Sequence, residues 1–216
     1  VMLEPVQGEG GVLVPPQDYF KKVSELCREK DVLLIFDEIQ TGLGRTGRDF
    51  AFRHFGVKPD LITLGKALGC GYPVGALLSA DEPSKALVPG SHSTTVGGAP
   101  LAMALSLELT SRILVPAFLE SVQAKGERFL SNLNKLVAKY PRLAIEARGL
   151  GLMLGLLLSE NAGPISEDLR KKGFLVNATA GSVLRFVPPL NVSHTEIDLM
   201  LAALDKSLIE VYPGKC

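Results

Sequence analysis

Two acidic residues, Asp37 and Glu38, stand directly after the apolar run Leu33-Leu34-Ile35-Phe36. A buried strand that ends on a carboxylate delivers it, rigid and partly desolvated, to the sheet edge where α/β folds bind ligands. A carboxylate placed there can hold a metal–nucleotide or pair with a cationic ring nitrogen. It can equally be a helix cap or a surface acidic pair. Lys66 follows a second strand-like stretch, in Thr63-Leu64-Gly65-Lys66-Ala67-Leu68-Gly69-Cys70-Gly71. Glycines let other groups approach the backbone closely, and a lysine in apolar surroundings can lose its proton and attack a carbonyl. Taken alone, such a lysine reads as a solvated turn residue.

The combination is more informative than either residue. Lys66 lies one α/β unit after Asp37, so both can converge at one edge of a sheet. A lysine that binds an aldehyde and a carboxylate that keeps a pyridine nitrogen protonated are what pyridoxal phosphate requires. Ser91-His92-Ser93-Thr94-Thr95-Val96-Gly97-Gly98 could cradle a phosphate through hydroxyl and backbone N–H groups, although such clusters are usually plain loops. Arg185 sits within the apolar stretch Val183-Leu184-Arg185-Phe186. A charge there needs a partner, and the planar guanidinium suits a substrate carboxylate. Glu9, on the Gly-rich loop Gln7-Gly8-Glu9-Gly10-Gly11, could neutralise it when no substrate is present; a purely structural Arg–Glu pair is the other reading. His54, His92 and His194 show no metal-ligand spacing, so no metal is expected.

These residues need elements to position them. Val1 to Leu3 reads as a short buried strand, Asp18 to Lys30 as a helix, and Val32 to Phe36 as a strand buried on both faces. Asp60 to Leu64 and Val74 to Ser79 read as further strands. Strands alternating with helices predict an α/β sheet, mainly parallel. Pro100 to Arg112 and Ala117 to Lys139 read as helices, the second ended by Pro141. Beyond them, Ala144 to Leu158, Leu175 to Asn177 and Val183 to Phe186 read as strands, with helices at Glu167 to Lys172 and Thr195 to Glu210. A boundary near 113–117 divides the chain into residues 1–115, a larger α/β part, and 116–216, a connecting helix and a smaller α+β domain.

Composition narrows the classes further. The 216 residues carry 23 Lys+Arg against 23 Asp+Glu and are 46% hydrophobic, which removes disorder and the basic footprint of a nucleic-acid binder. The longest apolar runs fall far short of the roughly 20 residues of a membrane span. Cys27, Cys70 and Cys216 are too few and too scattered for a disulfide framework and suggest a reducing compartment. The opening Val1-Met2-Leu3 reads as a strand already under way. The expectation is therefore a chain that lacks its N-terminal part, with any targeting segment outside it.

The stretches LEPVQGEGG (3–11), LLIFDEIQTGLGRTG (33–47), PDLITLGKALGCGYPVGALL (59–78), STTVGGAPLA (93–102), RGLGLMLGLLL (148–158) and VLRFVPPLNVSHTEID (183–198) together resemble the class III (subgroup II) aminotransferases, and among them the branch acting on N2-acetylornithine. The resemblance covers nearly the whole chain in family order and matches the family's C-terminal half. It implies the type I fold of pyridoxal-phosphate-dependent transferases, with residues 1–115 as part of the large cofactor-binding domain. By position, Lys66 resembles the Schiff-base lysine and Asp37 the partner of the pyridine nitrogen. Gln40 resembles a contact to the phenolic oxygen and Ile39 a residue packed on the ring, with Glu38 between them among the cofactor-binding set. Thr95 resembles the phosphate-binding threonine lent by the neighbouring subunit of a homodimer with shared active sites, with Thr94 beside the substrate. Arg185 resembles the substrate-carboxylate arginine and Glu9 its switchable partner. Val96 stands where the family usually has an aromatic and Ala99 where it usually has Asn.

The implied reaction moves the δ-amino group of N2-acetylornithine to 2-oxoglutarate, in a soluble intracellular enzyme that is cytoplasmic in a bacterium and mitochondrial or plastid in a eukaryote. Ornithine and other ω-amino acids are alternative donors. The main phosphate loop and one stacking aromatic are expected before residue 1, so the chain by itself is expected to bind the cofactor weakly. A different class also competes: four apolar residues followed by Asp-Glu form a Walker B pattern, making 33–38 part of a P-loop ATPase. Its G-x-x-x-x-G-K-[ST] partner is absent, because position 60 is Asp60 and Ala67 follows Gly65-Lys66. A third reading is a non-catalytic chain that keeps the fold and pairs with another.

Overall fold

Phe20, Phe36 and Phe55 meet edge-on, with ring centroids 4.8 and 4.9 Å from Phe20 to the other two. This arrangement adds about 0.5–1.5 kcal/mol per pair beyond the area buried. The cluster pins the helix α1 (Tyr19–Glu29) onto the strand β2 (Ile35–Asp37). The computed structural model describes residues 1–215, and Cys216, counted with the cysteines above, lies outside the described residues. The chain divides into two units: Val1–Pro5 with Pro15–Leu119, and Val6–Val14 with Glu120 onward. The Gly-rich loop, assigned by the sequence to residues 1–115, thus belongs with the second unit.

In the first unit one sheet runs β1–β2–β3–β4, from β1 (Met2–Leu3) through β2 and β3 (Leu61–Leu64) to β4 (Ala76–Ser79). The first two pairings are parallel and the last antiparallel; Val1 and Met2, expected to be buried, are exposed. The strand expected over Val32 to Phe36 is shorter and shifted, because Val32 and Leu33 are exposed. The backbone explains the shift. Val32 donates to Cys27 O at the exit of α1, and the Leu34 amide is taken by the Asp60 carboxylate at 2.8 Å. These residues are a tethered lead-in, and the ladder starts at Ile35. The short α2 (Asp81–Ser84) and then α3 (Pro100–Ile113) follow β4. Ile113 packs with Leu43, Leu64 and Leu68 in a buried cluster.

In the second unit the sheet order is β5–β6–β8–β7, all antiparallel: β5 (Ala144–Leu150), β6 (Met153–Leu158), β8 (Val183–Phe186) and β7 (Asn177–Thr179). β6 and β8 are buried almost throughout; the run of β6 carries no charge, whereas β8 takes Arg185 into the interior between Leu184 and Phe186. The helix α4 (Pro116–Lys139) begins in the first unit, and its Phe129 packs on Phe186 with centroids 5.3 Å apart. Gly126 of α4 lies against the β5–β6 turn. A Cβ there would fall 2.2 Å from Gly151 O, so only glycine permits this approach. The strand expected at Leu175 to Asn177 runs instead over Asn177–Thr179, and Leu175 is 91% exposed. The helix α5 (Gly163–Lys171) uses the preceding residues for its exit: Phe174 donates to Leu169 O, and Ser166 Oγ donates to Val176 O at 2.6 Å. The helix α6 (His194–Val211) starts with a capping box between Ser193 and Glu196, worth about 1 kcal/mol. No single helix among the described residues is long and apolar enough to cross a membrane.

Candidate active site

Asp37 is the last residue of β2, in register with Thr63 of β3. Its Oδ1 accepts the Thr63 hydroxyl at 3.1 Å and the Ile39 amide at 3.0 Å. Hydrogen bonds to a charged acceptor contribute about 1.5–3 kcal/mol each, so one oxygen is anchored and the carboxylate cannot swing. Because β2 and β3 are parallel, the end of β3 opens on the same edge, and Lys66 lies there three residues beyond Thr63.

Lys66 has a left-handed backbone, φ 44°. For a non-glycine residue this conformation costs of order 1–3 kcal/mol and persists only when the surroundings over-determine it. Here they do. Leu64 and Leu68, on either side, are buried with Leu43 and Ile113, and Leu68 N closes a tight turn onto Gly65 O at 3.0 Å. Ile39 packs over Gly65, with Cγ2 3.5 Å from where a Cβ would stand. Asp37, Ile39, Gly65 and Lys66 are therefore gathered by one strand edge, and Gln40 follows Ile39 on the same loop.

Glu38 does something else. It is 1% exposed, and its oxygens accept from Thr41 Oγ1 at 2.5 Å and Phe52 N at 2.9 Å. Burial raises its pKa above the usual carboxylate value, against the lowering effect of those hydrogen bonds. The side chain ties together both ends of the loop carrying Ile39 and Gln40, so it belongs to the scaffold and not to a ligand surface. Further along that loop, burial pushes the Arg45 guanidinium down to about 10. Thr94 and Thr95 lie on an exposed segment just before α3, and a Cβ on Gly97 would fall 2.1 Å from Thr94 Cγ2.

In the second unit, Arg185 of β8 is 7% exposed. Its Nη1 donates to Glu9 Oε1 at 2.5 Å, and its Nε is buried without a hydrogen-bond partner. An orphaned donor on a buried guanidinium is costly and suits a site that accepts a second, bridging carboxylate. Three supporting residues escaped the sequence reading: Thr63, Arg148 and Thr179. The alternation along β3 could have pointed to Thr63, the residue facing Asp37. Nothing local signals that Arg148 or Thr179 reaches a loop more than a hundred residues away.

The aminotransferase class-III family model matches residues 1–208. An acetylornithine aminotransferase of Methanocaldococcus jannaschii is 48% identical over 98% of this chain and 53% of its own length. The Caldanaerobacter subterraneus counterpart is 44% identical, with the same coverage. Among solved structures, Plasmodium falciparum ornithine δ-aminotransferase matches with a TM-score of 0.91 at 35% identity, over 99% of this chain and 57% of that one. Elizabethkingia anophelis acetylornithine aminotransferase matches with 0.89 at 35% identity, over 97% and 56%. The chain spans about half the length of the curated relatives it matches. The Walker reading of residues 33–38 gives way to this match, because those residues lie inside the segment that the aminotransferase class-III family model covers. With the family model matched over nearly all its length, the chain belongs to the class III aminotransferases.

Proposed function

We propose that this chain carries the reactive lysine, the ring-binding carboxylate and the carboxylate-binding arginine of an enzyme that moves the δ-amino group of N2-acetylornithine to 2-oxoglutarate. Class III aminotransferases depend on pyridoxal 5'-phosphate, which when bound draws electrons away from the substrate carbon that gives up a proton. The residues present fit that group, and the arrangement of Asp37 carries the reading. One carboxylate oxygen is anchored by Thr63 and Ile39 N–H. The other is left to meet a ring N–H, at the strand edge that also bears Lys66. Ile39, packed on Gly65, offers an apolar surface for one ring face, and Gln40 serves the ring oxygen.

Lys66 works as the general base and then the general acid. Its amine would take the proton from the substrate carbon that bears the nitrogen and deliver it to the cofactor carbon on the other side of that nitrogen. Thr95, with the Gly97-Gly98 amides ahead of α3, serves a phosphate across the interface of a homodimer, and Thr94 lies beside the substrate. Arg185 receives a substrate carboxylate once Glu9 withdraws. The names of the relatives at 43–48% identity favour acetylornithine as donor, while structural neighbours named ornithine aminotransferases give ornithine as the second reading. The deciding experiment is glutamate formation from 2-oxoglutarate with each amine, measured on the full-length protein loaded with cofactor. A kcat/KM for ornithine above that for N2-acetylornithine rejects the first assignment, and no glutamate from either rejects both.

A further inference from the structure

We propose that Arg148 and Thr179 are positioning residues that hold Glu9 over Arg185. They thereby set how strongly the protein's own carboxylate competes with a substrate carboxylate for that arginine. The inference rests on the carboxylate-binding role of Arg185 proposed above. The Glu9 side chain is 69% exposed while that of Arg185 is 8% exposed. An exposed glutamate gains little from an ion pair once its rotamer freedom is lost, so its place on Arg185 depends on what fixes its backbone.

Elements of the same unit fix it from several sides. Thr179, the last residue of β7, donates its hydroxyl to the Glu9 carbonyl at 2.6 Å. Arg148 of β5 turns two donors of its fork, Nε at 3.1 Å and Nη2 at 2.8 Å, onto the single carbonyl oxygen of Gly11. Gln7 and Leu13 close the loop by exchanging both backbone hydrogen bonds, at 3.1 and 3.0 Å. Gly11 has φ 103°, and a Cβ there would meet Val183 Cγ2 at 3.2 Å and Arg148 Nη2 at 3.3 Å. Val12 has φ 55° and is fully buried with Val6 and Met153. A β-branched residue avoids that conformation, so the core must enforce it. The loop presents Glu9 as a preorganised carboxylate.

Glu9 nevertheless leaves Arg185 Nε unpartnered. A carboxylate able to bridge Nε and a terminal nitrogen makes one hydrogen bond more, and so can displace the internal one. Its measured affinity is then its intrinsic affinity reduced by the fraction of molecules in which Glu9 has moved away. Loosening the loop raises that fraction, and losing one hydrogen bond that holds Glu9 in place raises it about three- to tenfold.

Glutarate, a dicarboxylate, is titrated calorimetrically into the purified full-length holoenzyme, and KM and kcat for 2-oxoglutarate are measured beside it. Thr179→Val, which keeps the side-chain shape, should tighten glutarate about three- to tenfold and lower KM by the same factor with kcat unchanged. Thr179→Ser should restore the parent values, and Arg148→Lys, which replaces a two-donor fork by one ammonium, should shift binding in the same direction as Thr179→Val. In a Glu9→Ala background Thr179→Val should add nothing. Unchanged or weaker glutarate binding in Thr179→Val overturns the proposal, as does tightening that persists without Glu9. If Glu9→Ala leaves glutarate binding unaltered, the role given to Arg185 fails and the inference with it. If Glu9→Ala tightens binding and Thr179→Val is silent, only the inference fails.

Discussion

Replacing Asp37 with Asn separates what the residue does for the fold from what it does for a bound ring. The carboxylate takes two hydrogen bonds, both on Oδ1, from Ile39 N–H at 3.0 Å and the Thr63 hydroxyl at 3.1 Å. An asparagine can put its carbonyl oxygen there and keep both. The change from charge-assisted to neutral bonds then costs roughly 1–2 kcal/mol of stability. The NH2 group falls where Oδ2 was, so a donor faces a ring N–H donor and the ion pair is gone. Losing one preorganised partner of a developing charge costs about 10²–10³ in kcat. Thr63→Val tests the anchor alone: the charge stays, one of two hydrogen bonds goes, and kcat should fall about tenfold. The assay is kcat for glutamate formation at saturating cofactor, beside urea unfolding of each variant. Asp37→Asn with parental kcat and the cofactor bound would refute the argument. So would Thr63→Val more damaging than Asp37→Asn, because an anchor cannot matter more than the group it anchors.

Other consequences can be checked as directly. Lys66→Ala should leave borohydride unable to fix the cofactor to the chain, with turnover abolished; reduced cofactor still recovered on the peptide spanning this position would contradict the assignment. The raised pKa of Glu38 comes first from its burial. The folded state therefore favours its protonated form, and its contribution to stability is greatest below the unfolded value and declines as pH rises through the folded one. Glu38→Gln should flatten that decline in urea midpoints measured from about pH 4 to about pH 7. Gly126→Ala sets a Cβ 2.2 Å from Gly151 O, backbone against backbone. It should cost at least about 1–3 kcal/mol, and an unchanged urea midpoint would mean that the hairpin turn yields freely.

Much of this protein is legible without coordinates, because some of its chemistry is local. Period and punctuation mark α3, α4 and α6 nearly to the residue, and the apolar residues on either side of Arg185 announce the strand β8. Asp37 and Lys66 stand out because a carboxylate and a lysine at successive strand ends share an edge whatever the details of packing. Where the reading slipped, a hydrogen bond from elsewhere had taken over the backbone. The Asp60 carboxylate claims the Leu34 amide and shortens β2, and Ser166 claims the Val176 carbonyl and delays β7. Only the tertiary structure turns Glu38 inward onto Thr41 and Phe52 while its neighbour Asp37 faces the strand edge. The two carboxylates alternate across one strand end, and which of them meets the interior depends on what packs there. Only the tertiary structure, too, brings Arg148 and Thr179 onto the loop that carries Glu9. Those contacts join residues more than a hundred positions apart, and no local period or motif encodes a partner at that distance.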